Sequence, residues 1–370
     1  MATNPGSAAP SSYTVNYDSL LSTTLMNYRP VLVDNIFKSN SFLAALKKYG
    51  GITYQDGGER VQQPLLYEEN DTFKSYRGYE QLTVKPQDGI TSAFYEWSEI
   101  AGTITISRRE ERQNSGESRI LSLLESKIKQ AEMSIKAKVN TQLVQGTVSS
   151  STFVPGNDSK DLLPLAYFLP KNSTSDPVSG GNVGNISRAT YSWWRPRTAA
   201  FDLADASKEA GNDFAVSVAT YAALRVALYR MYNYCSRGAD GSAPNIVLAN
   251  QETYETYENS LDQLKRYGDE SLATMGFDNI KLKGATMIWD ELVPDIDSGT
   301  AALTTGSAFF LNTQFFKLII DTQTDFITTP FIEPENQTGK TAKVMFMGQT
   351  SMSNPRKCGV AYGISKSIAS

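Results

Sequence analysis

Residues 117–144, ESRILSLLESKIKQAEMSIKAKVNTQLV, place Ile120, Leu124, Ile128, Ala131, Ile135, Val139 and Leu143 three or four positions apart. Side chains at that spacing share one face of an α-helix. The segment therefore predicts a single amphipathic rod of about 42 Å at a rise of about 1.5 Å per residue, far longer than an average helix. Glu125 with Lys129 and Glu132 with Lys136 are acid-then-base pairs four apart, each adding a few tenths of a kcal/mol of local support. Asn114 and Glu117 have the spacing of a capping box, and Gly146 stands where the helix should stop. On its own such a rod reads as a long core helix of an ordinary enzyme. What lies on either side changes that reading.

Upstream, strand-like ends enclose a polar middle between Ile52 and Ile106. Asp56-Gly57-Gly58 signals a turn, after which Val61, Leu65 and Tyr67 fall on one strand face. On the return Ala93, Tyr95 and Trp97 alternate before TITI, and the middle reads EENDTFKSYRGYEQLTVKPQDG, residues 68–89. Two β-arms joined by a charged, weakly apolar middle cannot bury themselves. The ribbon is a mobile flap over an active site or an arm clamped by another chain. No active site accompanies it, which favours the arm. Its contacts with a neighbour are expected at Glu68, Glu69, Asp71, Lys74, Tyr76, Arg77 and Tyr79, with charge setting register more than supplying energy. Trp97 at the arm's return, and Trp193 and Trp194 in a later loop, are expected to join them.

Composition removes most catalytic options. Among 370 residues there is no histidine, which excludes Ser-His-Asp and Cys-His catalysis and every HExxH zinc site. At 40% hydrophobic and 20% charged the chain is globular, and long enough for two or three compact units. A formal net charge of −4 and a pI near 5.2 argue against a dedicated nucleic-acid binder. No apolar run reaches membrane-spanning length, and the N-terminus lacks the blocks of a signal peptide. Cys235 and Cys358 have no metal-ligand or disulfide-framework spacing, so both thiols are expected to be buried or idle.

Residues 1–18 read as an extended arm. From Ser19 to Tyr49 a helical pattern is cut by Pro30 and ends at Gly50 and Gly51. Beyond the long helix, residues 147–196 are loop-rich. From Ala200 to Val293 the pattern is α/β. Tyr221, Leu224, Leu228, Met231 and Cys235 stripe one helix, NIVLAN is a short buried strand, and Asn250 caps a helix whose face is Tyr254, Tyr257, Leu261 and Leu264. KGATMIWD is a strand placed beside SAFFLNT. FKLII, KVMFMGQTSM and KCGVAYGIS are late strands expected to pair with earlier ones.

The remaining candidates for chemistry are weak. Asp202 with Asp205, Asp295 with Asp297 and Glu333 with Glu335 are carboxylate pairs in turn-like settings, and solvated turns are the default reading. GGNVGN, Gly180 to Asn185, has the glycines of a phosphate loop but follows no strand and lacks the Gly-Lys-Ser/Thr of a P-loop. Lys127, Lys129, Lys136 and Lys138 suit a solvated helix face better than a phosphate site. No catalytic, cofactor or metal residue is assigned.

The order of parts resembles the tailed-phage major capsid protein, with the HK-ninety-seven-like fold shared with encapsulins. The resemblance rests on DGGERVQQPLLYEEN (56–70), SYRGYEQL (75–82) and ITISRREERQNSGESRILSLLESKI (104–128). It continues through NISRATYSWWRP (185–196), NQETYETYENSLDQLKRY and GFDNIKLKGATMIWD within 250–290. It implies an α+β chain with 1–51 as an N-terminal arm and short helices and 52–106 as an extended loop over a neighbour. It further implies a peripheral domain over 107–199, an axial domain over 200–330, and 331–370 returning as strands to the peripheral domain. The implied function is a virion shell, assembled in the host cytoplasm, of hexamers and pentamers around double-stranded DNA. Its implied partners are a separate scaffolding protein, a portal, decoration proteins and DNA held by weak non-specific contact, with no membrane and no cofactor. An encapsulin-like compartment, a tube or decoration subunit, and an α/β enzyme are the alternatives.

Overall fold

The computed structural model describes residues 41–113, 123–149, 152–154, 160–174, 182–201, 212–238, 241–261, 280–294, 305–335 and 338–365. In chain order they form helix α1 (Ser41–Lys48), strands β1 (Ile52–Gln55), β2 (Val61–Leu66), β3 (Ile90–Tyr95) and β4 (Ser98–Ser107), then helices α2 (Arg108–Gln113) and α3 (Leu123–Val144). There follow β5 (Thr147–Ser149), β6 (Thr152–Val154), α4 (Leu165–Phe168), β7 (Arg197–Ala200), β8 (Phe214–Ala215), α5 (Tyr221–Cys235), β9 (Ile246–Ala249) and α6 (Gln251–Ser260). The last third supplies β10 (Ile280–Leu282), β11 (Ala285–Trp289), β12 (Thr305–Leu311), β13 (Phe316–Asp321), β14 (Ile327–Thr328), β15 (Gly339–Met352) and β16 (Gly359–Ser365).

The long helix is present over the 22 residues of α3 and runs out before Gly146, as its sequence predicts. Ile135, Val139 and Leu143 are buried and Ile128 and Ala131 half-buried. Ile120, the Asn114 cap and the Leu124 side chain lie outside the described residues. The stripe packs on a five-stranded sheet of order β1-β13-β15-β14, with β4 on the other edge of β15. Leu318, Ile320, Ala342, Val344, Phe346 and Ile104 of that sheet face the helix. Lys129, Lys136 and Lys138 are exposed, so the basic stretch is a solvated face. Lys127 donates to Glu110 Oε2 at 2.8 Å and to Thr105 O at 3.1 Å, tying α3 to α2 and β4. Helix α2 was not expected from the sequence.

The second sheet has seven strands in the order β10-β11-β9-β12-β16-β7-β8. Both of its faces are covered. Ile246, Leu248, Phe309, Leu311, Val360 and Tyr362 point into the core shared with α1 and α4. Val247, Ala249, Ala308, Phe310, Ala361 and Ile364 point the other way, under α5 and α6. Burial on both sides is why NIVLAN reads as an unbroken apolar run instead of an alternating one. The α5 stripe is buried as predicted at Leu224, Leu228, Met231 and Cys235, and Asn250 caps α6 by accepting from Thr253 N at 3.2 Å. KGATMIWD does not lie beside SAFFLNT. Strand β9 pairs with both and separates them.

The sheets do not divide at residue 330. Strand β13, upstream of that boundary, belongs to the five-stranded sheet, while β16 returns to the seven-stranded one. Of the strands within 331–370, β15 joins the five-stranded sheet, pairing with β4 over ten residues from Gly339 to Gly348. Helix α1 lies between the layers. Tyr49 and Thr286 hydroxyls meet at 2.5 Å, and Ser41 Oγ donates to Trp289 O at 3.0 Å. Asn140 of α3 donates to Asp290 Oδ2 at 3.1 Å in a buried site at the end of β11.

Two strands of the seven-stranded sheet approach closely at Gly359, opposite Arg197. A Cβ there would sit 2.7 Å from Arg197 O and against Met231 Cε. Methionine yields easily but a backbone carbonyl in a paired strand does not. Gly359→Ala is expected to lower stability by about 1–3 kcal/mol, read from urea denaturation. An unchanged midpoint would show that the strands can part at no cost.

Candidate functional site

The surface that the fold leaves unfinished is the outer part of the β2–β3 hairpin. Of the span from Ile52 to Ile106, the ends are not arm: β1 pairs in parallel with β13 and β4 pairs with β15. The paired base of the hairpin runs from Val61 opposite Tyr95 to Leu66 opposite Ile90. Its alternating residues behave as their pattern predicts, with Val61, Leu65, Ala93 and Tyr95 buried. What buries them is the subunit's own core, through Phe168, Val183, Ile186 and Trp194. The expectation that the whole ribbon lacks a home in its own subunit is therefore corrected for the base. Alternation shows that a strand face is covered and does not show by which chain.

The footing of the hairpin also accounts for GGNVGN. Phe94 N donates to Gly184 O at 3.2 Å, and Gly184 has φ +60°. A Cβ at Gly184 would stand 2.8 Å from Ala93 Cβ and 3.2 Å from the Tyr95 ring. The glycine is there for close approach and a left-handed turn, and Gly180 and Gly181 lie outside the described residues. Tyr95 sits edge-on to Phe168 at 5.8 Å and donates its hydroxyl to Met352 O at 2.9 Å. Burial pushes its phenol well above the usual range.

The three tryptophans expected at subunit contacts differ. Trp194 is fully buried, donating Nε1 to Val183 O at 2.9 Å, so it offers nothing to a neighbour. Trp193 is half-buried and stacks on Tyr67 at 5.4 Å, at the point where the hairpin leaves the body. Trp97 is half-buried and donates Nε1 to Gly58 O at 2.9 Å, closing the turn before β2.

Beyond Tyr67 the arm is uncovered. Glu68, Glu69, Asp71, Lys74, Tyr76, Arg77 and Tyr79 are all exposed. Sequence reading missed their apolar company. Phe73 is 85% exposed and Val84 96%, and Leu66, Leu82 and Ile90 are also exposed. The signal for them was present: apolar residues in a polar stretch with no period to place them on a covered face. A run of exposed apolar side chains on one projection marks an interaction surface. The tip is shaped by its own polar bonds. Asn70 Oδ1 accepts from Thr72 N at 2.9 Å, Lys74 Nζ donates to Gln81 O at 2.8 Å, and Gln87 donates to Asp71 Oδ1 at 2.9 Å. At its root Tyr67 donates to Asp88 O at 2.8 Å. Desolvation, and then the Glu68 and Asp88 carboxylates, raise its phenol.

Nothing else assembles into a catalytic arrangement among the described residues. Glu333 and Glu335 are exposed, and Asp202, Asp205, Asp295 and Asp297 lie outside the described residues. Cys235 and Cys358 are free and buried, and burial pushes both thiols up, Cys358 to about 12. Thiols so raised are poor nucleophiles. No group of three or more possible metal ligands occurs, and no helix is long and apolar enough to cross a membrane, among the described residues.

No family model and no curated protein matches the chain in sequence. Solved structures do match it in shape. The capsid of cyanophage A-1(L) superposes with a TM-score of 0.61 at 14% identity, over 92% of this chain and 97% of that one. The capsid of a native GTA particle gives 0.55 at 12% identity, covering 96% and 99%. The SrpI encapsulin of Synechococcus elongatus gives 0.53 at 8% identity, covering 95% and 97%. Coverage is nearly complete from both sides, and the arm, spine helix and two sheets described above belong to one architecture. The chain has the α+β, HK-ninety-seven-like capsid fold.

Proposed function

We propose that this chain is the major capsid protein of a tailed phage, which self-assembles as hexamers and pentamers into an icosahedral shell around double-stranded DNA. The observation that carries the reading is the arm of residues 67–89. It leaves the body with Phe73, Tyr76, Tyr79 and Val84 uncovered, in a fold otherwise seen in capsid and encapsulin shells. In this reading Glu68, Glu69, Asp71, Lys74, Tyr76, Arg77 and Tyr79 contact the next subunit. Trp97 and Trp193 brace the root. The five-stranded sheet with α3 forms a peripheral domain, and the seven-stranded sheet with α5 and α6 forms an axial domain. A separate scaffold, a portal and decoration proteins complete the particle in the host cytoplasm, and the virion is the final location. The acidic pI supports a lining that touches DNA weakly and without sequence preference. Each interface need only be modest, because many contacts closed in a shell act together. The chain acts as a building block and not as a catalyst.

The encapsulin match supports a second reading, a shell around protein cargo. Electron microscopy of the expressed protein with its genomic neighbours separates the two. Closed shells that package DNA are expected. Shells filled with protein would favour the compartment, and a stable monomer would defeat both.

A further inference from the structure

We propose that the arginine-lined cavity between β7, the turn at Ser192–Trp194 and the turn at Pro355–Lys357 is a binding site for a phosphate group, free or within a nucleic-acid backbone. The cavity is about 180 Å³ and is lined by Arg195, Arg197 and Arg356, the single carboxylate Asp213, and Ser173, Thr174 and Ser192. Three arginines and one acid share that lining. This inference goes beyond the shell reading and stands or falls separately from it.

Each arginine is placed by the fold, and each keeps donors open. Arg195 is fixed by Nε donating to Arg188 O and Nη2 to Ala189 O, both at 2.6 Å. A guanidinium has further N–H groups in the same plane, so the fork is oriented without being used up. Arg197 Nη1 meets Asp213 Oδ1 at 2.5 Å, while Asp213 Oδ2 accepts from Thr198 N at 3.1 Å. Of the three arginines, Arg197 alone pairs directly with Asp213, whose charge also favours the charged form of Arg356. Arg197 Nε remains buried without a hydrogen-bond partner. Among the described residues, the Arg356 side chain makes no hydrogen bond or ion pair; its backbone N–H, not its guanidinium, is what Asn354 Oδ1 holds at 3.2 Å.

Three cations and one anion around a single cavity leave an excess of positive charge that a further anion would offset. Desolvation, and then the neighbouring Arg197, already disfavour the charged form of Arg356. A phosphate fits the donor set better than a carboxylate does. Arginine forks match its paired oxygens, and the Ser192 hydroxyl shares the lining.

The test is calorimetric titration of the full chain with inorganic phosphate at constant ionic strength, beside a short oligothymidylate. Saturable phosphate binding is expected, weakened at least tenfold by Arg356→Gln. That residue is exposed, so the variant should keep the wild-type melting temperature. Arg195→Gln should weaken binding as well, with circular dichroism reporting whether its turn survives. Oligothymidylate binding with the same Arg356 dependence would assign the site to a nucleic-acid backbone, and phosphate binding alone would assign it to the free ion. No saturable binding of either, or binding indifferent to Arg356→Gln, would overturn the proposal. So would capture of an arm peptide of residues 68–89 in place of phosphate.

Discussion

Subunits in which residues 68–88 are replaced by an Asn-Gly turn are expected to fold normally and to form no shells. The replaced segment is exposed throughout except for Thr72, and its hydrogen bonds are made largely within itself. The buried face of the hairpin, Val61, Leu65, Ala93 and Tyr95, lies outside the cut and remains packed on Phe168 and Trp194. An Asn-Gly pair suits a two-residue turn between antiparallel strands. Folding stability should therefore change little. Assembly should be lost altogether, because the same contact disappears from every copy and a closed shell multiplies the loss. Sedimentation and thermal denaturation report the two properties separately. Normal shells from this variant would refute the role given to the arm.

Adjacent tryptophans should give opposite outcomes. Trp194→Ala removes a fully buried ring and one of the two hydrogen bonds that Val183 O accepts, leaving only that from Ile186 N. It is expected to cost about 3–5 kcal/mol, a large share of a typical domain's stability, and to appear as loss of folded subunit before any assembly step. Trp193→Ala removes a half-buried ring stacked on Tyr67. The stacking itself is worth only about 0.5–1.5 kcal/mol, so this subunit should stay folded, with a loosened arm root and slower assembly. Denaturant titration of both variants decides the matter. Equal, small losses would mean that Trp194 is not the core anchor described here.

The long helix, the α5 stripe, the Asn250 cap and the alternation of β2 and β3 were all legible, because each is a local pattern with one physical solution. Partnership was less so. NIVLAN announces burial on both faces, yet nothing in it says that β11 and β12 lie on either side. The boundary expected at residue 330 failed for the same reason, since β13 and β16 are each short apolar strands and the chain sends them to different sheets. Val61 and Tyr95 were read as covered, and only coordinates could show that their own subunit covers them. Trp193 and Trp194 are neighbours in a loop, and sequence cannot tell which of the two turns inward. The arginine cavity was invisible for a stronger reason. Thr174, Arg195, Asp213 and Arg356 are distant along the chain, and strand pairing between β7, β8 and β16 brings them together.

The most direct measurement is a cryo-electron-microscopy reconstruction of particles assembled from this chain. The account requires density for residues 67–89 lying across the adjacent subunit, with Phe73, Tyr76, Tyr79 and Val84 covered by it. Finding the arm laid back on its own body, or standing free of every neighbour in a closed shell, would contradict it.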